Sequence, residues 1–431
     1  MKKILENVLL LTGSTVRRGE VFFSEKAILA IADSFDEKDV PRIDGRGLLL
    51  LPSLVDVHVH LRDPGLTRKE TIETGTLAAA KGGFLHIFPM PNVDPCPDDV
   101  ETGKYYLERL RERENVHCHP YASLTENQKG KTLVDMKALY GLGFHRFSDD
   151  GGESTEDEEL LKKAFSFSEE TGAIISLHCE DKSLERKERI LFEGEKAEKL
   201  GFHGGMTNEA ESTQAAFYIE MARRYGGHIH ICHVSARQTI EAIAKGKREG
   251  VDVTGEATCH HLTLTQDDVL DTNFKMSPPL KRKEDRDALV QALKDGTIDF
   301  IGSDHAPHTE DEKKKGWKEA PFGIVSLETS LPVLYTDLVL GKKALTLPEL
   351  IERMAKKPAE RFGLRNVGSL SPGQESSFFL FDPEDHYRIE KTDFLSKGRN
   401  TPYQGKEVQG RVVMSFVDGN VVYRYGKGGT A

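Results

Sequence analysis

From residue 53 onward the chain alternates between two kinds of stretch. Short β-branched or apolar runs recur: "LVDVHVH" (54–60), "FLHIFPM" (84–90), "VHCHPYA" (116–122), "FHRFSD" (144–149), "AIISLHC" (173–179), "HIHICHV" (228–234), "VDVTGEAT" (251–258) and "DFIGSDH" (299–305). Between them lie longer amphipathic segments such as "KETIETGTLAAAKGG", "DMKALYGLG", "ESTQAAFYIEMARRY" and "ARQTIEAIAKGKREG", several closing on a glycine, a common helix stop. Strand–helix alternation implies a parallel sheet, because parallel neighbours need a long crossover. Eight such units over roughly 300 residues imply an α/β fold of the closed (β/α)8 TIM-barrel type, which typically takes ~250 residues before insertions.

The flanks lack this rhythm. Residues 1–52 and 366–431 carry hairpin signals instead, notably "VVMSFVDGNVVYRYG", where Asp-Gly-Asn separates two alternating runs. The expectation is a small β-sandwich-like domain assembled from both termini, with a barrel at 53–365 inserted between them. A chain of 431 residues is long enough for this division.

Chemistry in such a barrel collects at the carboxyl ends of the strands, and so do the unusual polar residues here. Strand one ends with His58 and His60, which share a face because side chains at i and i+2 point the same way. Strand four runs into Asp149-Asp150, strand five ends at His178, strand six at His233, and strand eight at Asp304-His305. Singly, each has an ordinary reading: Asp-Gly is a turn pair, "SDHAPH" suits a helix cap, and a lone histidine is more often a core or surface residue. Their coincidence at the ends of separate strands is what points to a metal centre. Imidazoles and carboxylates without thiolates suit zinc or another borderline divalent ion. One ion with ligands to spare, or two ions sharing a carboxylate, would account for the set. His86, His117, His119, His228, His230 and His260-His261 lack that collective support and read as structural or unassigned.

Net charge is −11, from 59 Lys and Arg against 70 Asp and Glu, which argues against a nucleic-acid partner. Cys96, Cys118, Cys179, Cys232 and Cys259 are odd in number and form no C-x-x-C pair, the usage of a reduced compartment. No apolar run approaches the roughly 18 residues that span a bilayer. A cytoplasmic protein without membrane contact is the expectation.

At these residues the chain resembles the amidohydrolase superfamily and, within it, the bacterial class I dihydroorotases. The stretches that carry the resemblance are "DVHVHLRDPG", "KETIETGTLAAAKGGF", "PMPNVDPCPD", "FSDDG", "HCE", "CHVS", "HHLTL", "FKMSPPL", "GSDHAPHT", "APFGI" and "FLSKGRNTPYQG". The resemblance implies reversible cyclisation of N-carbamoyl-L-aspartate to L-dihydroorotate in pyrimidine synthesis, with water activated as hydroxide on one or two Zn2+ ions. It implies that His58 and His60 bind one metal, that His178 and His233 bind a second, and that Asp150 bridges them. Hydantoinase-type relatives have a carboxylated lysine at that bridge, and no lysine stands in "RFSDDGG". Asp304 would lie near the first metal and act as general acid–base. Arg62, Asn92 and His308 would hold the substrate carboxylate, with His60 also touching substrate and the backbone of Phe322-Gly323 meeting the ring. Ser277 departs from the family's usual asparagine, and a serine there reaches less far. The polar stretch 308–323, which includes Trp317, then gains weight as a lid.

Two other readings compete. One keeps the cyclic amidase chemistry but changes the ring, to a hydantoinase, dihydropyrimidinase or allantoinase. The absent bridging lysine and the Arg62/Asn92 pair, suited to an anionic substrate, weigh against it. The other is a non-catalytic relative that partners aspartate carbamoyltransferase; such relatives lose ligands, and none is lost here. A homodimer is expected only from the general frequency of twofold oligomers.

Overall fold

The computed structural model describes residues 1–12, 15–185 and 188–426. Each apolar run contains a barrel strand: Leu54–Val59, Phe84–Pro89, His117–Cys118 with Ala122–Ser123, Arg146–Ser148, Ile174–Leu177, His228–Ile231, Val253–Thr258 and Phe300–Gly302. Neighbours along this order pair in parallel. The third strand is broken around Pro120, which has no N–H to give a ladder; its halves pair separately with the second and fourth strands. The ring closes where Val59 bridges His305 and the His60 amide donates to the His305 carbonyl at 2.8 Å. All six residues of Leu54–Val59 are buried, as expected for strands packed on both faces.

Crossover helices fall where the amphipathic segments predict them, at Ile72–Gly82, Met136–Leu142, Asn208–Tyr225 and Arg237–Arg248. The first has a reciprocal cap between Thr71 and Thr74, and it stops at Gly83, whose φ of 83° is left-handed. No helix among the described residues is long and apolar enough to cross a membrane.

Strands from both ends of the chain make one eight-stranded sheet. The two halves join where Leu49–Pro52 pairs antiparallel with Phe378–Phe381. Period-two alternation gives this junction two faces. Leu50, Phe378 and Leu380 enter a separate core with Leu5, Val21 and Phe416, while Leu49, Leu51, Phe379 and Phe381 enter the barrel's core. Truncating Phe379, fully buried in that shared face, is worth about 3–5 kcal/mol. The last hairpin turns at Asp418 and Gly419, with φ of 48° and 69°, the double positive-φ turn that suits strand twist. The terminal unit expected from sequence runs to residue 431, and 427–431 lie outside the described residues.

Candidate metal centre

The first strand delivers His58 and His60 to the mouth of the barrel, both buried. Their Nε2 atoms face Asp150 Oδ2 at 3.2 and 3.3 Å. From the opposite side, His178 Nδ1 and His233 Nε2 face Asp150 Oδ1 at 3.6 and 3.3 Å. One carboxylate thus stands between two pairs of imidazoles. Asp304 Oδ1 lies 3.2 Å from His60 Nε2 and 3.6 Å from His58 Nε2. Donor atoms of His58, Asp150 and His233, and of His58, His60 and Asp304, form two groups within 4.8 Å among the described residues.

His178 Nδ1 and His233 Nε2 point at one another at 3.0 Å, and only one of them can carry the proton between them. Ring nitrogens converging on shared carboxylate oxygens at these separations are the donor set of a divalent metal. Partners behind the rings fix their orientation: His58 Nδ1 meets Glu256 Oε1 at 2.6 Å, and His60 Nδ1 meets Asn92 Oδ1 at 2.7 Å. Such outer contacts set which nitrogen faces the ion. Arg62, His233 and Asp304 have φ of 61°, 32° and 46°, left-handed values uncommon outside glycine. Strand ends bent this way turn side chains from the barrel wall into the mouth, and strain of this kind gathers at functional sites.

Burial opposes every charge here, yet the pairs overcome it in definite directions. Burial alone would raise the Asp150 carboxyl, but His58, His178 and His233 hold it well below the usual carboxylate range. Asp304 is lowered likewise, against burial, by His60 and His58. Glu256 resists the burial penalty through His58 and His230 and falls to about 2. His178 rises to about 10 despite burial, through Asp150 and Glu180. Burial brings Arg62 down to about 10, so it stays a cation at neutral pH.

A cavity of 870 Å³ opens above this cluster, lined by His60, Arg62, Asn92, Ser277, His308 and Phe322 among others. Arg62 Nη2 lies 3.5 Å from His308 Nε2, which in turn donates to the Phe322 carbonyl at 2.7 Å. The Asn400 side-chain amide donates to the carbonyls of Ala306 and Gly323 at 3.0 and 2.9 Å, holding Gly323 beside His308. Ser277 Oγ reaches Glu180 Oε1 at 3.4 Å.

Every residue singled out for the site therefore lies in or beside one cavity, but the stretch 308–323 is tied down more firmly than a lid reading anticipates. Lys313 Nζ donates to the carbonyls of Lys275, Pro321 and Gly323 at 3.0–3.1 Å. Lys275 Nζ donates to Trp317 and Ala320 carbonyls at 2.5 and 2.6 Å. Two lysines thus pin the segment as a wall of the cavity. The Asp149-Asp150 pair also separates: Asp149 takes the amides of Leu124 and Thr125, both at 3.0 Å, and holds a loop. His230 stays outside the cluster, stacked on Phe300 at 5.3 Å. Glu256 was missed by sequence reasoning, although a glutamate inside a buried β-branched run carries the same anomaly that marked His58.

A family model described as dihydro-orotase-like matches residues 47–239. Over 412 residues the chain is 42% identical to the dihydroorotase of Bacillus cytotoxicus, covering 95% of both chains. The chain belongs to the dihydroorotase family. A Geobacillus dihydroorotase is likewise 42% identical over 415 residues, 96% of each chain. Among solved structures, the L-hydantoinase (dihydropyrimidinase) of Arthrobacter aurescens superposes with a TM-score of 0.86 at 24% identity, over 99% of this chain and 97% of that one. That likeness establishes the barrel with its terminal sheet, and nothing about the ring that is cut.

Proposed function

We propose that this protein is a metal-dependent dihydroorotase, interconverting N-carbamoyl-L-aspartate and L-dihydroorotate. The observation that carries this reading is the Arg62 guanidinium, buried in the wall of a cavity whose floor is the Asp150-centred cluster. A permanent, forked cation beside a hydrolytic centre suits a ring that bears a free carboxylate. Hydantoin and dihydrouracil rings have none.

His58, His60, Asp150, His178, His233 and Asp304 would hold one or two divalent ions, zinc by donor type, which when bound polarise a carbonyl and ionise water near neutral pH. Asp304, kept ionised by His60 and His58, is placed to accept a proton from the attacking water and return it to the departing ring nitrogen. In the synthetic direction the same carboxylate takes a proton from the attacking ureido nitrogen and passes it to the substrate carboxylate oxygen that leaves as water when its C–O bond breaks. Arg62, Asn92 and His308 grip the carboxylate that does not react, which fixes the ring over the cluster. The backbone at Phe322-Gly323, held by Lys313 and Asn400, offers peptide groups to the ring edge. Ser277 contributes a shorter contact than an asparagine would.

The test is turnover of L-dihydroorotate, hydantoin and dihydrouracil by the purified, zinc-loaded protein. Dihydroorotate should be strongly preferred, and the preference should collapse in Arg62→Met. Equal or better turnover of the uncharged rings would overturn the reading.

A further inference from the structure

A second group of ligand-type side chains lies at the opposite end of the barrel. His86 comes from the start of the second strand and His117 from the start of the third, while Glu375 and Asp418 come from the terminal sheet's connections. One donor atom from each of His86, His117 and Glu375 falls within 4.8 Å of the others. His86 Nε2 lies 2.5 Å from Glu375 Oε1. The His86 and His117 rings stack with centroids 4.7 Å apart. His117 Nε2 is buried without a hydrogen-bond partner, though Asp418 Oδ1 stands 3.3 Å away. Behind His86, its Nδ1 meets His119 Nε2 at 3.0 Å, the outer contact that orients a ligating imidazole.

We propose that His86, His117 and Glu375, with Asp418 at the rim, form a second divalent-metal site that ties the barrel to the terminal sheet. Two imidazoles and one carboxylate converge as donors of the types zinc takes, and Asp418, 3.3 Å from His117, stands near enough to become a fourth. Burial holds His86 and His119 well below the usual histidine range, which suits ligation, but raises Glu375 to about 7, which opposes it. Neutral imidazole is the form that ligates. The exchange is balanced by one proton: the ion takes the lone pair of His86 Nε2 and a Glu375 oxygen, and the proton shared by that pair leaves to solvent. The ring of His117 and the carboxylate of Asp418 are 30% and 52% exposed, so the group borders solvent, with His117 Nε2 itself just beneath the rim. A site at this end of the strands serves stability, since barrel chemistry occupies the other end.

The test strips the wild type, His117→Ala and Glu375→Gln with a chelator, reloads each with zinc and counts bound metal after gel filtration. Wild type should retain one equivalent more than either variant, while turnover at the mouth is unchanged. Zinc should also raise the melting midpoint of stripped wild type by more than that of His117→Ala. Equal metal in all three proteins would overturn the proposal and leave a hydrogen-bonded packing cluster. Loss of turnover together with the missing equivalent would also overturn it, by placing that ion at the mouth. The metal count does not depend on which ring the mouth hydrolyses.

Discussion

The two ends of the barrel each gather histidines around a carboxylate, and they do so differently. At the mouth, four imidazoles stand 3.2 to 3.6 Å from one buried aspartate, none in short contact with it. At the seam with the terminal sheet, His86 and Glu375 approach to 2.5 Å, close enough for one proton to satisfy both. Four ring nitrogens around one carboxylate, two of them at hydrogen-bond distance from it, offer a divalent ion several donors at once. A cluster already closed by a proton must give that proton up before an ion binds. Metal should therefore be held more tightly at the mouth, and progressive chelation should empty the seam first without loss of turnover.

Asp150→Ala tests the mouth most severely. Its metal content and turnover should fall together, by more than the roughly 10^4-fold that losing a general acid–base alone costs. Asp304→Asn should separate the two readouts, with turnover down about 10^2–10^4-fold and metal retained. Metal lost in this variant would make Asp304 chiefly a ligand. Next in size is Glu256→Gln, which leaves the His58 ring but weakens the contact behind it. Metal affinity or activity should drop about 10–100-fold, the usual effect of an outer partner. Arg62→Lys keeps the charge and loses the fork, so KM for dihydroorotate should rise about tenfold, the worth of one charge-assisted hydrogen bond, with metal content unchanged.

The smallest effect belongs to Lys313, in neither cluster. Burial lowers its pKa from 10.5 to about 7. Between these values the unfolded chain binds the proton and the folded chain sheds it, giving up one of the three hydrogen bonds the ammonium donates, so stability rises with pH across that window and is lost as pH falls from 10.5 to about 7. Urea midpoints of the wild type should therefore climb relative to Lys313→Met between pH 7 and 10.5. Parallel curves would show that Lys313 keeps its proton throughout.

The cluster at the mouth was legible because histidines and aspartates are anomalies in and beside buried strands, and strand ends are where a barrel concentrates chemistry. The seam was not legible. His86 and His117 sit at the starts of strands, and their acidic partners come from positions 375 and 418, more than 250 residues away along the chain. Strand position alone did not sort Asp149 from Asp150, although the family resemblance singled out Asp150. Adjacent residues in a turn point in unrelated directions, and only the loop around Leu124 decides which carboxylate is taken up by backbone amides. The lid expectation met two lysines whose targets are main-chain carbonyls, and a carbonyl leaves no mark in residue identity.

By itself, the amino-acid sequence determined the order of strands and helices, the parallel barrel and the strand ends that carry the clustered histidines and aspartates. Those properties follow from local periodicity and from the few ways alternating elements can close. Tertiary structure alone decided that a loop takes up Asp149, which glutamate backs His58, and that a second histidine group meets the terminal sheet. These depend on distances between side chains remote in the chain, which close packing sets to tenths of an ångström and composition does not encode.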